Sequence, residues 1–224
     1  YFFSDEKEKF AEYLAEVQPT VFFGVPRVWE KLHAGISGKL AQAEGAKAKL
    51  AAWAMRVGAE VNRRRNQGDS IGGLLSIKYR IANKLIFSKV KAKIGLGRAQ
   101  MCVSGAAPVS KEVLEFFAGL DLVVHEVYGQ SEDTGPTSFN LPGATRYGTV
   151  GRPIPGMDVR IAEDGEIQAR GPNVFLGYFK DPEATAATLD GEWLCSGDIG
   201  TIDEEGYLRI TGRKKEIIIT AGGK

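Results

Sequence analysis

Between Pro19 and Pro26 the chain reads PTVFFGVP, an apolar run bracketed by prolines, and it predicts a short buried strand that turns sharply at its carboxyl end. From Arg27 to Asn66 apolar residues recur at helical spacing, with Leu50, Trp53, Val57 and Val61 on one stripe. Gly45 interrupts this region, and Asn66, Gln67 and Gly68 end it. A second helical stretch follows Ser70, striped by Leu74, Ile77, Ile81 and Leu85 and decorated by lysines, until Gly95 and Gly97 stop it. Next come a strand at Gln100 to Ser104, a tight turn, a helix from Ser110 to Ala118 capped by Ser110, and a strand around Leu120 to Val124. That order is the βαβ unit of a parallel sheet, so the expected fold is α/β. Beyond about Pro142 the runs turn short and alternating, separated by acidic turns such as Glu163-Asp164-Gly165, which predicts a small antiparallel β subdomain.

Composition narrows the field. Across 224 residues the chain is 43% hydrophobic and 25% charged, enough to bury well over half of its unfolded surface in a globular fold. Its 29 Lys and Arg nearly cancel 28 Asp and Glu, so no global basic field favours nucleic acid. Cys102 and Cys195 match neither metal-ligand nor disulfide spacing and are expected as free thiols in a reducing cytoplasm. No apolar run is long enough to span a bilayer. Arg63, Arg64 and Arg65, with the lysines around Lys89, suggest peripheral contact with an anionic membrane. The first residue is Tyr1, inside what reads as an element already under way, and Lys224 closes nothing, so truncation at both ends is expected. Nothing in the pattern fixes an oligomeric state.

The candidate chemistry sits where strands end. VYGQSE, Val127 to Glu132, follows a predicted strand, placing Gly129 and Gln130 in the loop where α/β sheets bind ligands. Tyr128 offers a ring to stack on a base, Ser131 a hydroxyl to a phosphate, and Glu132 a hard oxygen suited to Mg²⁺. A plain turn with a solvated glutamate would read the same way. Gly105, Ala106 and Ala107, at a second strand end, let backbone approach a planar ligand, though a tight turn needs them too. In WLCSGDIG, Asp198 could accept from both hydroxyls of a ribose or close a β-turn; Arg213, in GRKKE, could hold ribose or phosphate oxygens.

Taken in order, SGAAP, YGQSE, VGRPIPG, GEIQARGPNVFLGYFKDPEAT, WLCSGDIG and GRKKEIIITAGG resemble the core motifs of the AMP-forming adenylating enzymes, from Tyr1 to Lys224. VFFGVPRVWEK with the helical region behind it resembles the long-chain fatty acyl-CoA synthetase branch. The resemblance implies a two-step reaction in which a fatty acid and MgATP give acyl-AMP and pyrophosphate, and the thiol of coenzyme A then displaces AMP. By position, Tyr128 would stack on adenine in a slot lined by Gly105, Ala106 and Ala107. Ser131 would meet the α-phosphate, Glu132 would hold Mg²⁺, and Asp198 and Arg213 would hold the ribose. Lys215 corresponds to the hinge of the family's small C-terminal domain. The domains implied are a partial α/β subdomain over 1–145 with a helical insertion at about 27–97, a distorted β-barrel over 146–212, and a hinge over 213–224. The family's phosphate-cradling loop and its C-terminal lysine have no counterpart in this sequence, so the chain alone is expected to be inactive. A fatty acyl-AMP ligase, an aryl-CoA ligase or a non-catalytic lipid-binding scaffold stay open as alternatives.

Overall fold

The computed structural model describes residues 9–214, which divide into two compact units, residues 9–125 with 142–147, and residues 126–141 with 148–214.

In the first unit, helix α1 (Phe10–Val17) precedes strand β1 (Val21–Gly24), which pairs in parallel with β2 (Met101–Ser104), Val21 opposite Met101. Pro26 opens α2 (Pro26–Ala41), its fixed φ and missing N–H being no loss in a first turn. Three helices sit on this frame: α2, α3 (Gly45–Asn66) and α6 (Lys111–Gly119). Trp29 of α2 is fully buried, and its indole N–H reaches the carbonyls of Gly24 at 3.0 Å and Val103 at 3.3 Å, tying the helix to both strands. Rings of Phe22 and Phe117 meet it edge-on at 5.2 Å. Helix α6 begins as expected, the Ser110 hydroxyl accepting the N–H of Val113. Helix α3 lies so close to α6 that a Cβ on Gly58 would overlap the carbonyl oxygen of Gly119. The buried Asn62 amide uses that proximity, donating to the carbonyls of Ala118 at 2.9 Å and Gly58 at 3.1 Å.

After α3 the chain forms α4 (Gly73–Ala82), a π-helical turn at Asn83–Phe87, and α5 (Ser88–Lys93). Ala54, Val57 and Val61 of α3 pack on Ala82 and Phe87, with Leu75, Tyr79 and Ile86 beside them. The stripe singled out from the sequence, Leu74, Ile77, Ile81 and Leu85, is the exposed one. The α4 sequence is apolar on two faces, and the face bearing Tyr79 wins because its phenol also donates to the Asp121 carboxylate at 2.9 Å.

Two strands differ from expectation. Strand β1 alternates, Phe22 buried and Val21 and Phe23 exposed, rather than being buried throughout. The strand expected at Leu120 to Val124 is instead β3 (Val124–Gln130). Leu120 and Leu122 are buried, but both bond back to the Phe117 carbonyl, and Asp121 takes a left-handed φ of 58° between them, so their apolarity belongs to a turn.

The second unit carries β3 from Glu126 onward, antiparallel to β4 (Gly135–Phe139), which pairs with the short β5 (Arg152–Pro153). A second sheet runs β10-β9-β7-β6, formed by β6 (Asp158–Ile161), β7 (Glu166–Arg170), β9 (Trp193–Ile202) and β10 (Leu208–Arg213). Helix α7 (Pro182–Thr188) and the two-residue β8 (Leu189–Asp190) lead into β9. This antiparallel sheet matches expectation in kind, but it is open, not a barrel. Among the described residues β6 and β10 are edges that do not pair with each other. Ile167, Leu208 and Tyr128 form the core of this unit.

Candidate active site

Within the second unit, three strands bring one cluster together. Strand β3 supplies Tyr128, β9 supplies Asp198, and β10 supplies Arg213, which lies directly opposite Asp198 in the antiparallel register. The buried Tyr128 hydroxyl donates to Asp198 Oδ2 at 2.7 Å, and Arg213 Nε donates to Oδ1 at 2.9 Å. Asp198 is 6% exposed, whereas the Arg213 side chain is 64% exposed. Its backbone N–H donates to Ser196 Oγ, and that hydroxyl donates to the Ile167 carbonyl at 2.7 Å, fixing the strand behind the carboxylate. Burial first, and the Asp198 charge after it, push the Tyr128 phenol well above its ordinary pKa, so it stays a donor at neutral pH. A carboxylate accepts about four hydrogen bonds, so each Asp198 oxygen keeps a lone pair for a diol.

The sequence placed Tyr128, Gly129 and Gln130 in a loop, but they end strand β3, and the loop starts at Ser131. Gly129 sits at a bulge against β4, where a Cβ would overlap the Gly135 carbonyl oxygen. The side-chain N–H₂ of Gln130 is buried with no hydrogen-bond partner among the described residues, and is the donor there with capacity to spare. Ser131 to Asp133 form one 3₁₀ turn, pinned by the fully buried Asp133. Asp133 accepts from the Gln130 N–H at 3.0 Å and from the Thr137 hydroxyl, while its carbonyl accepts from Asn173 at 2.6 Å. Ser131 is left exposed. Glu132 Oε1 accepts from the Tyr178 hydroxyl at 2.6 Å, and the Glu132 carbonyl accepts from the Phe175 N–H at 2.7 Å.

Three of these residues escaped the sequence reading. Nothing in spacing ties Tyr178 to Glu132, 46 positions earlier. Asp133 beside Glu132 looks like a second solvated acid, and only the threonine four residues on hints at a turn. Glu166, buried on β7, accepts from the Gly197 N–H at 2.8 Å and from Lys214 at 2.8 Å, which also reaches Asp164 at 2.6 Å.

Gly105, Ala106 and Ala107 belong to the first unit, in the bend after β2, with Ala106 in a left-handed φ of 69° and both alanines exposed. Lys215 lies outside the described residues. No group of three or more potential metal-binding side chains occurs among the described residues. Glu132 offers one carboxylate whose Oε1 already accepts from Tyr178, a donor set compatible with a cation that takes most of its ligands elsewhere, as Mg²⁺ commonly does. Both cysteines are free, and burial pushes the Cys102 thiol up to about 12. A polar cavity of about 280 Å³ in the first unit, lined by Arg65, Lys91, Asp121 and His125 among others, contains none of the expected site residues.

The chain is similar to known proteins. The AMP-binding enzyme family matches residues 2–179. A long-chain-fatty-acid–CoA ligase of Xenopus laevis is 46% identical over 94% of this chain, which covers 29% of that protein. A putative fatty-acid–CoA ligase of Mycobacterium tuberculosis is 43% identical over 94% of the chain, covering 37% of that protein. The chain thus spans about a third of the length of these relatives. Among solved structures, MatB of Rhodopseudomonas palustris superimposes with a TM-score of 0.60 at 24% identity, covering 92% of this chain and 33% of its own, which speaks for the fold alone.

Proposed function

The chain belongs to the AMP-binding enzyme family, and from that premise we propose that it serves an AMP-forming ligase that joins a long-chain fatty acid to coenzyme A. In the first step a carboxylate oxygen attacks the α-phosphorus of ATP, the bond to the β-phosphate oxygen breaks, and pyrophosphate leaves. In the second the coenzyme A thiolate attacks the acyl carbon, and AMP leaves with the electrons of the broken C–O bond. The observation that carries the reading is the convergence of Tyr128 and Arg213 on the buried Asp198 carboxylate. The relatives' names supply the fatty acid and coenzyme A.

Each residue then has a task. Asp198, held in place by Tyr128 and Arg213, would accept the two ribose hydroxyls, and the Tyr128 ring would stack on adenine; Gly105, Ala106 and Ala107 are assigned to the adenine by motif order alone. Ser131 would donate to the α-phosphate, and Gln130 would offer its unpartnered side-chain N–H₂ beside it. Glu132, oriented by Tyr178, would hold Mg²⁺, which supplies charge neutralisation on the phosphates when bound. Lys215 would mark the hinge to a further domain. A long-chain acid partitions into bilayers, so the reading includes peripheral contact with a lipid surface.

The test is a thermal titration with AMP and with a non-hydrolysable acyl-adenylate analogue. Both should raise the melting temperature of the unmodified chain. Asp198→Ala should abolish the shift. Arg213→Ala should weaken it, with a modest fall in the ligand-free melting temperature because the buried Asp198 carboxylate loses one partner. If neither ligand shifts the unmodified chain, the nucleotide site fails.

A further inference from the structure

We propose that the outer face of α4 and the π-helical turn is an interfacial surface that lies on an anionic lipid bilayer. Leu74, Ile77, Ile81 and Leu85 follow one another at helical spacing, yet they are 66%, 56%, 46% and 38% exposed. The opposite face, Leu75, Tyr79, Ala82 and Ile86, already packs on α3, so the outer stripe is a second apolar face with no protein partner among the described residues. Scattered exposed aliphatic side chains need no explanation, whereas four on one stripe, Leu74, Ile77 and Ile81 of α4 and Leu85 of the π-helical turn, do.

Charge identifies the occupant. Between Asp69 and Glu112 lie eight Lys and Arg and no acidic residue, in a chain whose net charge is only +1. On α4, at 3.6 residues per turn, Lys78 flanks the stripe on one side and Arg80 on the other, with Lys84 in the π-helical turn and Lys89 just beyond it. None of the four has an acidic partner among the described residues, and all are exposed. The nearby cations Arg63 and Arg64 instead bind Glu60, and Arg65 and Lys91 bind Asp121. An apolar stripe bordered by unpaired cations suits a membrane surface. The leucines and isoleucines enter the acyl boundary while the long basic side chains extend to anionic headgroups. Nucleic acid would reward the cations and leave the stripe in water. A second copy would set lysines against lysines across a two-fold axis. The surface would give the proposed ligase access to an acyl chain dissolved in a bilayer, and it rests on that reading for its purpose alone.

The experiment is co-sedimentation of the whole chain with phosphatidylcholine vesicles and with vesicles that also contain phosphatidylserine. Binding is expected to the anionic vesicles, to fall with added salt, and to weaken roughly five-fold for each of Lys78→Gln, Lys84→Gln and Lys89→Gln. Ile77→Ser with Ile81→Ser should abolish it at unchanged charge, and the melting temperature should hold because all these side chains are exposed. Equal binding to both vesicles, or indifference to the isoleucine changes, overturns the proposal. So does failure to bind either vesicle, including the case in which the isoleucine changes instead dissociate a dimer or release a protein partner. An AMP melting shift measured on the same samples separates the two readings: vesicle binding without that shift leaves the surface standing and removes the nucleotide site.

Discussion

Tyr128 and Asp198, 70 positions apart, are joined by a 2.7 Å hydrogen bond in the interior of the second unit. The donor is a neutral phenol and the acceptor a carboxylate that the Arg213 guanidinium also holds. Such a bond does two things at once, closing the packing between β3 and β9 and aiming the second Asp198 oxygen.

Replacing Tyr128 by Phe keeps the ring and removes only the donor. A hydrogen bond to a charged group is worth about 2 kcal/mol, so the variant should unfold at correspondingly lower urea while m stays unchanged. The AMP melting shift should shrink without vanishing. An unchanged urea midpoint would mean that the bond contributes nothing to stability.

Glu126 gives a pH dependence. It is buried, its Oε2 has no hydrogen-bond partner among the described residues, and burial pushes its pKa up from 4.5 to about 7, with the Gly148 N–H opposing. Below pH 4.5 the group is protonated folded and unfolded alike. Between there and about pH 7 the unfolded chain sheds the proton while the folded chain keeps it, so this stability is lost as pH rises, by at most about 3 kcal/mol. Glu126→Gln should remove that slope. Urea midpoints at pH 5 and pH 8 read it out, with the variant gaining on the unmodified chain at the higher pH. A constant difference between the two proteins would sink the assignment.

The bulge at Gly129 admits no side chain, since a Cβ would overlap the Gly135 carbonyl oxygen. Both clashing groups are backbone, so relief requires β3 and β4 to separate. Gly129→Ala should therefore cost about 3 kcal/mol or more and appear as loss of soluble, cooperatively melting protein. An alanine variant that melts with the unmodified chain would show that the strands move apart freely.

A helix start, a helix end and the antiparallel texture of the second unit were legible because each has a local signal: the Ser110 cap, the Asn66-Gln67-Gly68 stop, the Gly165 turn. The position of β3 was not, because Leu120 and Leu122 are as apolar in a turn as they would be in a strand. Which face of α4 is buried was equally hidden, since both faces carry leucine and isoleucine and only contact with Tyr79, Asp121 and α3 decides. The site residues could be nominated by motif order. Their mutual contacts could not, because a hydrogen bond across 70 positions leaves no mark in either neighbourhood.

The π-helical turn at Asn83–Phe87 holds one residue more than a regular turn and rotates everything after it by about 100°. Before it the inward positions are 75, 79 and 82, and within it 86 and 87; after it Lys91 swings inward to Asp121, and Lys89 and Lys93 face out. The extra residue therefore acts as a phase setting. Deleting it would straighten the winding while bringing a different set of ammonium groups into line with the leucines, so the charge pattern of this face is encoded in the count of residues as much as in their kind.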